Sequence, residues 1–279
     1  MKISIIGYGF VGKALEKAIK NDVEILKIDP VLGTKMSDLE DFDPEICFIC
    51  VPTPMNEDGS QDITILLDVV DELKKISISP LIVLKSTVLP SYIDSIKKDI
   101  PDLVFNPEFL RERSANEDFI NSRLIILGGP ESSTTRIAEF YKNQTLCKTK
   151  DYQFTDLITA SLVKYTINTF LATKVVFFNE LNQIFNKSKA KDSWENFINM
   201  IAIDSRIGSS HMQVPGLDGK FGYGGACFPK DSKALIRYAE EIGNPFELLA
   251  ESNKINNKIR KQYKTLTKRE LNQHINFND

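Results

Sequence analysis

Gly7-Tyr8-Gly9-Phe10-Val11-Gly12 follows an apolar run at Ile3–Ile6 and leads into an amphipathic stretch at 10–20. A strand, a glycine turn and a helix in that order are the context in which GxGxxG marks a dinucleotide site. Gly7 permits the tight turn, Gly9 lets a pyrophosphate approach the backbone, and Gly12 lets the helix pack on the strand. The helix N-terminus then offers free N–H groups and partial positive charge to the phosphates. A second strand, Val23–Ile28, ends at Asp29, 22 residues past Gly7. That is where an acid that bonds a ribose is expected. A carboxylate there accepts from the adenosine 2′-OH and repels a 2′-phosphate, so NAD is the expected cofactor rather than NADP. Phe10 and Val11 complete the turn.

Further strands are expected at Ile46–Val51, Leu81–Leu84, Leu103–Phe105 and Leu124–Leu127, with amphipathic stretches at 62–75 and 131–142 between them. Apolar strands separated by helices predict a parallel sheet covered on both faces. After residue 150 the pattern turns helical, beginning with one run from Phe154 to Phe185 that lacks Gly and Pro. Helices follow at about 192–203, 231–242 and 246–263, with a glycine-rich segment at 208–225. The expected fold is therefore α/β. An N-terminal Rossmann-type doubly wound sheet (1–150) precedes an all-helical central domain (151–262) and a basic tail (263–279). From Lys254 onward seven Lys and Arg residues face two acids. That stretch reads as a solvated helix end or as a patch for an anionic partner.

Composition closes off other classes. A net charge of -3 argues against a general nucleic-acid binder. No apolar run approaches the roughly 20 residues that span a bilayer. The first residues read as a strand rather than a signal peptide, and a cytoplasmic location is expected. Four cysteines make no disulfide framework, and two histidines make no histidine-rich metal site. No metal is expected, so acid–base work falls to carboxylates, lysine or a cysteine.

Cys47-Phe48-Ile49-Cys50 has redox spacing, but residues three apart in a strand point to opposite faces, so two core cysteines are expected. Val51-Pro52-Thr53-Pro54 ends that strand in a loop at the carboxyl edge, where ligands bind in such sheets. In Phe221-Gly222-Tyr223-Gly224-Gly225-Ala226-Cys227-Phe228-Pro229-Lys230-Asp231, the glycines free the backbone for close approach. Cys227 lies just ahead of an expected helix start and near Lys230. Both favour the thiolate, which is the nucleophile. Asp231 could equally be an N-cap, and Cys227 a packed residue of a glycine loop. Lys164 and Asn168, four apart, share a mainly apolar helix face. There a lysine needs a partner or must snorkel to solvent.

Taken together and in order, GYGFVG, VPTP, KSTVLP, NPEFLRE, LVKYTIN with FNEL after it, and GYGGACFPKD resemble the UDP-glucose/GDP-mannose dehydrogenase family up to about residue 260. The NPEFLRE form and the VPGLDGKFGYGG loop are most similar to its UDP-glucose members. The resemblance implies an NAD-dependent enzyme that oxidises the C6 alcohol of a nucleotide sugar, UDP-glucose, to the carboxylate in two steps. It implies that Cys227 is the nucleophile, carrying a thiohemiacetal and then a thioester. Lys164 and Asn168 match the pair at the oxyanion, and Asp231 the acid that handles the alcohol proton with a water. Thr87 matches a threonine that orders that water, and Glu112 a glutamate of the hydrolytic half. Glu108, with Phe109, Leu110 and Arg111 of the same segment, falls at the substrate, as do Tyr223, Gly224 and Gly225. Pro52, Thr53 and Thr87 fall at the cofactor. Arg206 resembles an arginine that reaches substrate across a dimer interface, and the long helix from 154 resembles the element through which the family forms homodimers.

Two departures stand out. Arg113 occupies a position where the family usually has glycine. The chain also stops where the family's third, nucleotide-binding domain would start. A separate polypeptide, a compact version or a fragment would each account for that. Beside the UDP-glucose reading stand a GDP-mannose 6-dehydrogenase, a dehydrogenase of a smaller hydroxy acid, and a catalytically impaired nucleotide-binding or dimerising module.

Overall fold

The structure, a computed structural model, describes residues 1–149 and 151–277, and of Glu112 only the backbone. It divides into two compact units. The first holds Met1–Thr53 and Asp62–Lys164, and the second Pro54–Gln61 and Tyr165–Asp279.

In the first unit the elements run β1 (Lys2–Ile6), α1 (Phe10–Ala18), β2 (Glu24–Ile28), α2 (Asp38–Phe42), β3 (Ile46–Ile49), α3 (Thr64–Leu73), β4 (Leu81–Leu84), α4 (Pro90–Asp99) and β5 (Val104–Phe105). After them come α5 (Ala115–Ile120), β6 (Ile125–Gly128), α6 (Glu131–Gln144), β7 (Tyr152–Thr155) and the start of α7 (Leu157–Lys187). The sheet has seven strands in the order β2-β1-β3-β4-β5-β6-β7. All neighbours are parallel except β5 and β6. Strand order reverses between β1 and β3. The crevice at such a switch point is where open α/β sheets bind ligands.

Period-two alternation assigns each strand residue to a face. Cys47 and Ile49 of β3 pack with Leu66, Val70, Ile93 and Ile96 of α3 and α4. Ile46 and Phe48 pack on the other side with Leu15, Ile137, Phe140 and Tyr141 of α1 and α6. Helices thus cover both faces, as expected of a doubly wound sheet. Cys47 and Cys50 lie in opposite layers and both are free. Burial raises both thiols to about 12, so neither is a redox group at neutral pH.

The second unit contains the rest of α7, then α8 (Trp194–Ala202), α9 (Phe228–Glu241), α10 (Glu247–Arg260) and α11 (Lys268–Asn272). Phe178 of α7 packs with Ile198 of α8, Met212 and Val214. Ala172 and Val176 of α7 pack with Tyr223.

Two expectations change. The sheet does not stop near 147, because β7 pairs in parallel with β6. Phe154 therefore belongs to a strand, and α7 starts three residues later. Asp156 caps it by accepting from the Thr159 N–H (2.9 Å) and hydroxyl (2.6 Å). The tail is not a solvated helix end: α11 opens on a capping box of Thr267 and Glu270, and Ile275 and Phe277 are buried. Its surplus of basic residues concealed a folded segment.

Gly12 tests the fit of the phosphate turn. A Cβ there would lie 2.5 Å from the Gly7 carbonyl oxygen and 3.0 Å from Ile5 Cγ2. Gly12→Ala should cost about 1–3 kcal/mol, the usual range for overpacking, read as a lower urea midpoint.

Candidate active site

Gly7 donates its N–H to the Ile28 carbonyl (2.8 Å) and adopts φ +89°. A Cβ on it would stand 2.8 Å from the Cys50 carbonyl carbon, so the turn lies directly against the end of β3. Gly9, by contrast, has nothing within 4 Å of the position of a Cβ, and it precedes α1 without any side-chain cap. An open approach over an uncapped helix start fits a pyrophosphate. Asp29 directly follows β2. Its Oδ2 accepts from the Tyr8 N–H (2.7 Å) and its Oδ1 from the Val31 N–H (2.9 Å). Each oxygen has a second lone pair for a ribose hydroxyl. Phe10 and Val11, in the first turn of α1, are half-buried. The turn, the open face and the acid fit NAD.

The loops after β3 and β4 are laced together. The Thr53 hydroxyl donates to the Thr87 carbonyl (2.8 Å) and the Ser86 hydroxyl to the Val51 carbonyl (2.7 Å). Pro52 is exposed at their edge and Thr87 is half-buried. Beneath them Lys85 is buried. It donates to Asn106 Oδ1 (2.9 Å) and to the Tyr141 hydroxyl (3.2 Å), which itself donates to Asn106 Oδ1 (2.6 Å). Burial lowers the affinity of Lys85 for its proton, against the opposing pull of Cys50 and Glu108. These groups border a cavity of about 30 Å³.

Asn106 opens the NPEFLRE segment. Glu108 turns inward, accepting from the Leu110 N–H (2.6 Å) and pairing with Lys164 Nζ (3.5 Å). Lys164 also donates to the Glu108 carbonyl and lies 5.1 Å from the centre of the Phe109 ring. Lys164 is therefore buried and paired, and does not snorkel to solvent. Arg111 points the other way, exposed and forked onto Asp118 (2.7 and 3.1 Å). Glu112 and Arg113 form a single 3-10 turn. Arg113 is not among the residues with positive φ, so this turn does not need glycine. The side chain of Glu112 lies outside the described residues.

In the second unit, α9 begins at Phe228 with Cys227 as its N-cap. That is three residues earlier than expected, so Asp231 is a first-turn residue and not the cap. Asp231 donates its N–H to the Cys227 carbonyl (2.8 Å) and is 1% exposed. One carboxylate oxygen accepts from the Asn168 amide (2.6 Å) and the other from Lys230 (2.6 Å). Cys227 is half-buried and forms no disulfide.

The glycine loop before Cys227 is held from behind. Asn256 donates to the Tyr223 carbonyl (3.0 Å) and accepts from the Tyr223 N–H (2.7 Å), while the Tyr223 hydroxyl donates to Asn253 (3.1 Å). Tyr223 is thus an anchor, with ring, hydroxyl and backbone all engaged. Gly225 donates its N–H to Glu270 (2.8 Å). A Cβ on Gly224 would lie 2.6 Å from the Arg260 guanidinium carbon and 2.9 Å from Glu270 Oε1. Arg206 is exposed and forked onto Asp204.

The structure thus brings Lys164 together with Glu108 and Phe109, and Asn168 together with Asp231. Sequence reasoning passed over Lys85, Asn106, Arg260 and Glu270, and it set Lys230 beside Cys227 where the structure pairs it with Asp231. Lys85 and Lys230 stand inside motifs already singled out. Glu270 was legible as the end of a Thr-x-x-Glu capping pattern. Arg260 had no local signal.

Residues 33–145 match the NAD binding domain of the UDP-glucose/GDP-mannose dehydrogenase family, and residues 158–258 its central domain. The chain is 35% identical over 203 residues to a UDP-glucose 6-dehydrogenase of Rickettsia felis, covering 70% of this chain and 44% of that one. It is 30% identical over 295 residues to one of Campylobacter jejuni, covering 93% and 73%. It spans less than half the length of the Rickettsia protein. The structure of a UDP-glucose dehydrogenase from Pyrobaculum islandicum has the same fold, with a TM-score of 0.75 at 24% identity over 93% of this chain and 68% of that one. Among the described residues no helix is long and apolar enough to cross a membrane.

Glu270 sets a pH dependence. Burial opposes its ionisation, but the N–H groups of Thr267 and Gly225, the Thr267 hydroxyl and Arg260 outweigh burial and hold the carboxyl below its usual range. A depressed value contributes stability above the unfolded value of about 4.3, which is lost as pH falls through the folded value. The stability gap between the wild type and Glu270→Gln should therefore be full at pH 7 and shrink as pH falls below about 4 in urea titrations.

Proposed function

This chain belongs to the UDP-glucose/GDP-mannose dehydrogenase family, and from that premise we propose that it oxidises C6 of UDP-glucose to the carboxylate in two NAD-dependent steps. The observation that carries the reading is the pairing of Cys227 and Asp231. Half-buried Cys227 stands at the N-cap position of α9, and a buried carboxylate one turn later is held by Asn168 and Lys230. Nucleophile and acid–base group are built on one rigid element, which suits covalent catalysis.

NAD, when bound, would accept one hydride per molecule, so two NAD molecules would be used in turn. The residues that hold it are the Gly7–Gly12 turn and Asp29, with Pro52, Thr53 and Thr87 at the adjoining loops. Asp231, through a water, takes the alcohol proton as the first hydride leaves C6. The Cys227 sulfur then bonds to the aldehyde carbon and the oxygen takes a proton. Loss of the second hydride from that carbon, with the hydroxyl proton, leaves a thioester. Water adds, the carbon–sulfur bond breaks, and the thiol returns as the acid departs. Lys164 and the second N–H of the Asn168 amide stabilise the negative oxygen. Thr87 and Glu112 serve the attacking water. Glu108 holds Lys164 in place, and Phe109, Leu110, Gly224 and Gly225 face the sugar. The C6 aldehyde stays bound throughout, so no free aldehyde escapes.

The expected yield is two NADH per sugar consumed. Cys227→Ser should form no free acid, because an ester is a poorer acyl donor than a thioester. One NADH per sugar, or wild-type acid formation by Cys227→Ser, would remove the covalent mechanism.

The same reading gives α7 a partner. Phe170, Phe177 and Ile184 are 65%, 60% and 64% exposed. Seven residues are close to two helical turns, so the three form one apolar stripe. A homodimer would cover it, and would let Arg206 reach the partner's substrate. Light scattering should give twice the chain mass for the wild type and a single chain for Phe177→Glu.

A further inference from the structure

Glu270 lies 45 residues beyond Gly225 and far outside the catalytic motifs, yet it is 1% exposed. Its two oxygens do separate work. Oε1 accepts from the Gly225 N–H (2.8 Å) and stands 3.6 Å from Arg260. Oε2 accepts from the Thr267 N–H (2.7 Å), and the Thr267 hydroxyl accepts from the Glu270 N–H (3.2 Å). The carboxylate thus closes the cap of α11 and grips the glycine loop at once. Arg260 is 2% exposed, and its other arm reaches Asp218 (2.8 Å) at the near end of the same loop. Its guanidinium fills the space a Gly224 side chain would need. Tyr263 adds a third contact, its hydroxyl accepting from the Phe221 N–H (3.0 Å).

A glycine at φ +78° is soft, and a Cβ on Gly225 would meet nothing within 4 Å. Only one residue, Ala226, separates it from Cys227, the N-cap residue of α9. The direction in which the thiol leaves the helix therefore depends on where Gly225 is pinned. A buried ionic pair fixes such a point more tightly than a neutral contact, because leaving either charge unpaired is costly.

We propose that Glu270, backed by Arg260, is a positioning residue for Cys227, and that the segment from Tyr263 to Phe277 is a brace for the nucleophile loop. The link to turnover rests on the reading of Cys227 as nucleophile. The link to the loop does not.

The test uses the full chain with Glu270→Ala, Glu270→Gln and Thr267→Ala. Three quantities are read. They are hydrogen exchange at the Gly225 amide, the rate at which iodoacetamide labels Cys227 (followed by peptide mass with Cys147 as internal reference), and steady-state kinetics with UDP-glucose and NAD. Glu270→Ala should speed Gly225 exchange at least tenfold and change Cys227 labelling at least threefold, with Cys147 unmoved. It should lower kcat/KM for the sugar at least tenfold while KM for NAD stays within twofold. Glu270→Gln keeps one acceptor oxygen and should recover part of each effect. Thr267→Ala weakens the helix cap but leaves the carboxylate, and should change Cys227 labelling less than twofold. Unchanged Gly225 exchange and Cys227 labelling in Glu270→Ala would overturn the brace, as would equal effects from Thr267→Ala. If the wild type does not oxidise UDP-glucose while exchange and labelling shift as expected, the brace stands and the proposed reaction falls.

Discussion

A carboxylate with 1% exposure must be compensated, and Asp231 shapes much of the second unit on that account. An unpaired buried charge costs several kcal/mol even after relaxation. Asp231 avoids this with Lys230 beside it in sequence and Asn168 from α7. The pair ties α9 to α7 at one place along each helix. Cys227 follows from that anchoring, because it caps the helix that Asp231 locks. The thiol and the carboxylate then share a frame that neither could hold alone.

The first unit meets the same constraint with different groups. Lys164 is buried and balanced by Glu108, whose carboxylate also closes its own loop through the Leu110 N–H. Below it Lys85 is surrounded by Asn106, Tyr141 and the faces of Phe119 and Tyr141. Lys85 thereby fixes the start of the segment that carries Glu108. Burial is tolerated here because nearly every polar atom finds a partner. The loops that carry Lys85, Asn106 and Glu108 leave the carboxyl ends of β4 and β5.

Glycines serve two distinct ends in this chain. Gly7 and Gly12 are required by backbone crowding around the phosphate turn, where a Cβ would strike main-chain atoms. Gly224 is required by a side chain, the guanidinium of Arg260, which comes from the end of α10. In the first case glycine makes room for a ligand and for helix packing. In the second it makes room for the protein to hold its own loop.

The amino-acid sequence by itself determined the doubly wound sheet, the phosphate turn, Asp29 and the opposed pair Cys47 and Cys50. Each rests on local periodicity or fixed spacing, which the chain carries residue by residue. The six ordered motifs likewise identified the family before any coordinates. Tertiary structure alone decided that β7 extends the sheet, that Lys164 is paired with Glu108, and that Tyr223 anchors the loop. It alone placed Glu270 on Gly225 and Arg260 against Gly224. These depend on which distant segments meet, 45 residues apart for Glu270 and 56 for Lys164. No local pattern encodes such a meeting. A run of basic residues reads the same whether it frays in solvent or folds over a glycine loop, and only the burial of its few apolar and acidic members tells the two apart.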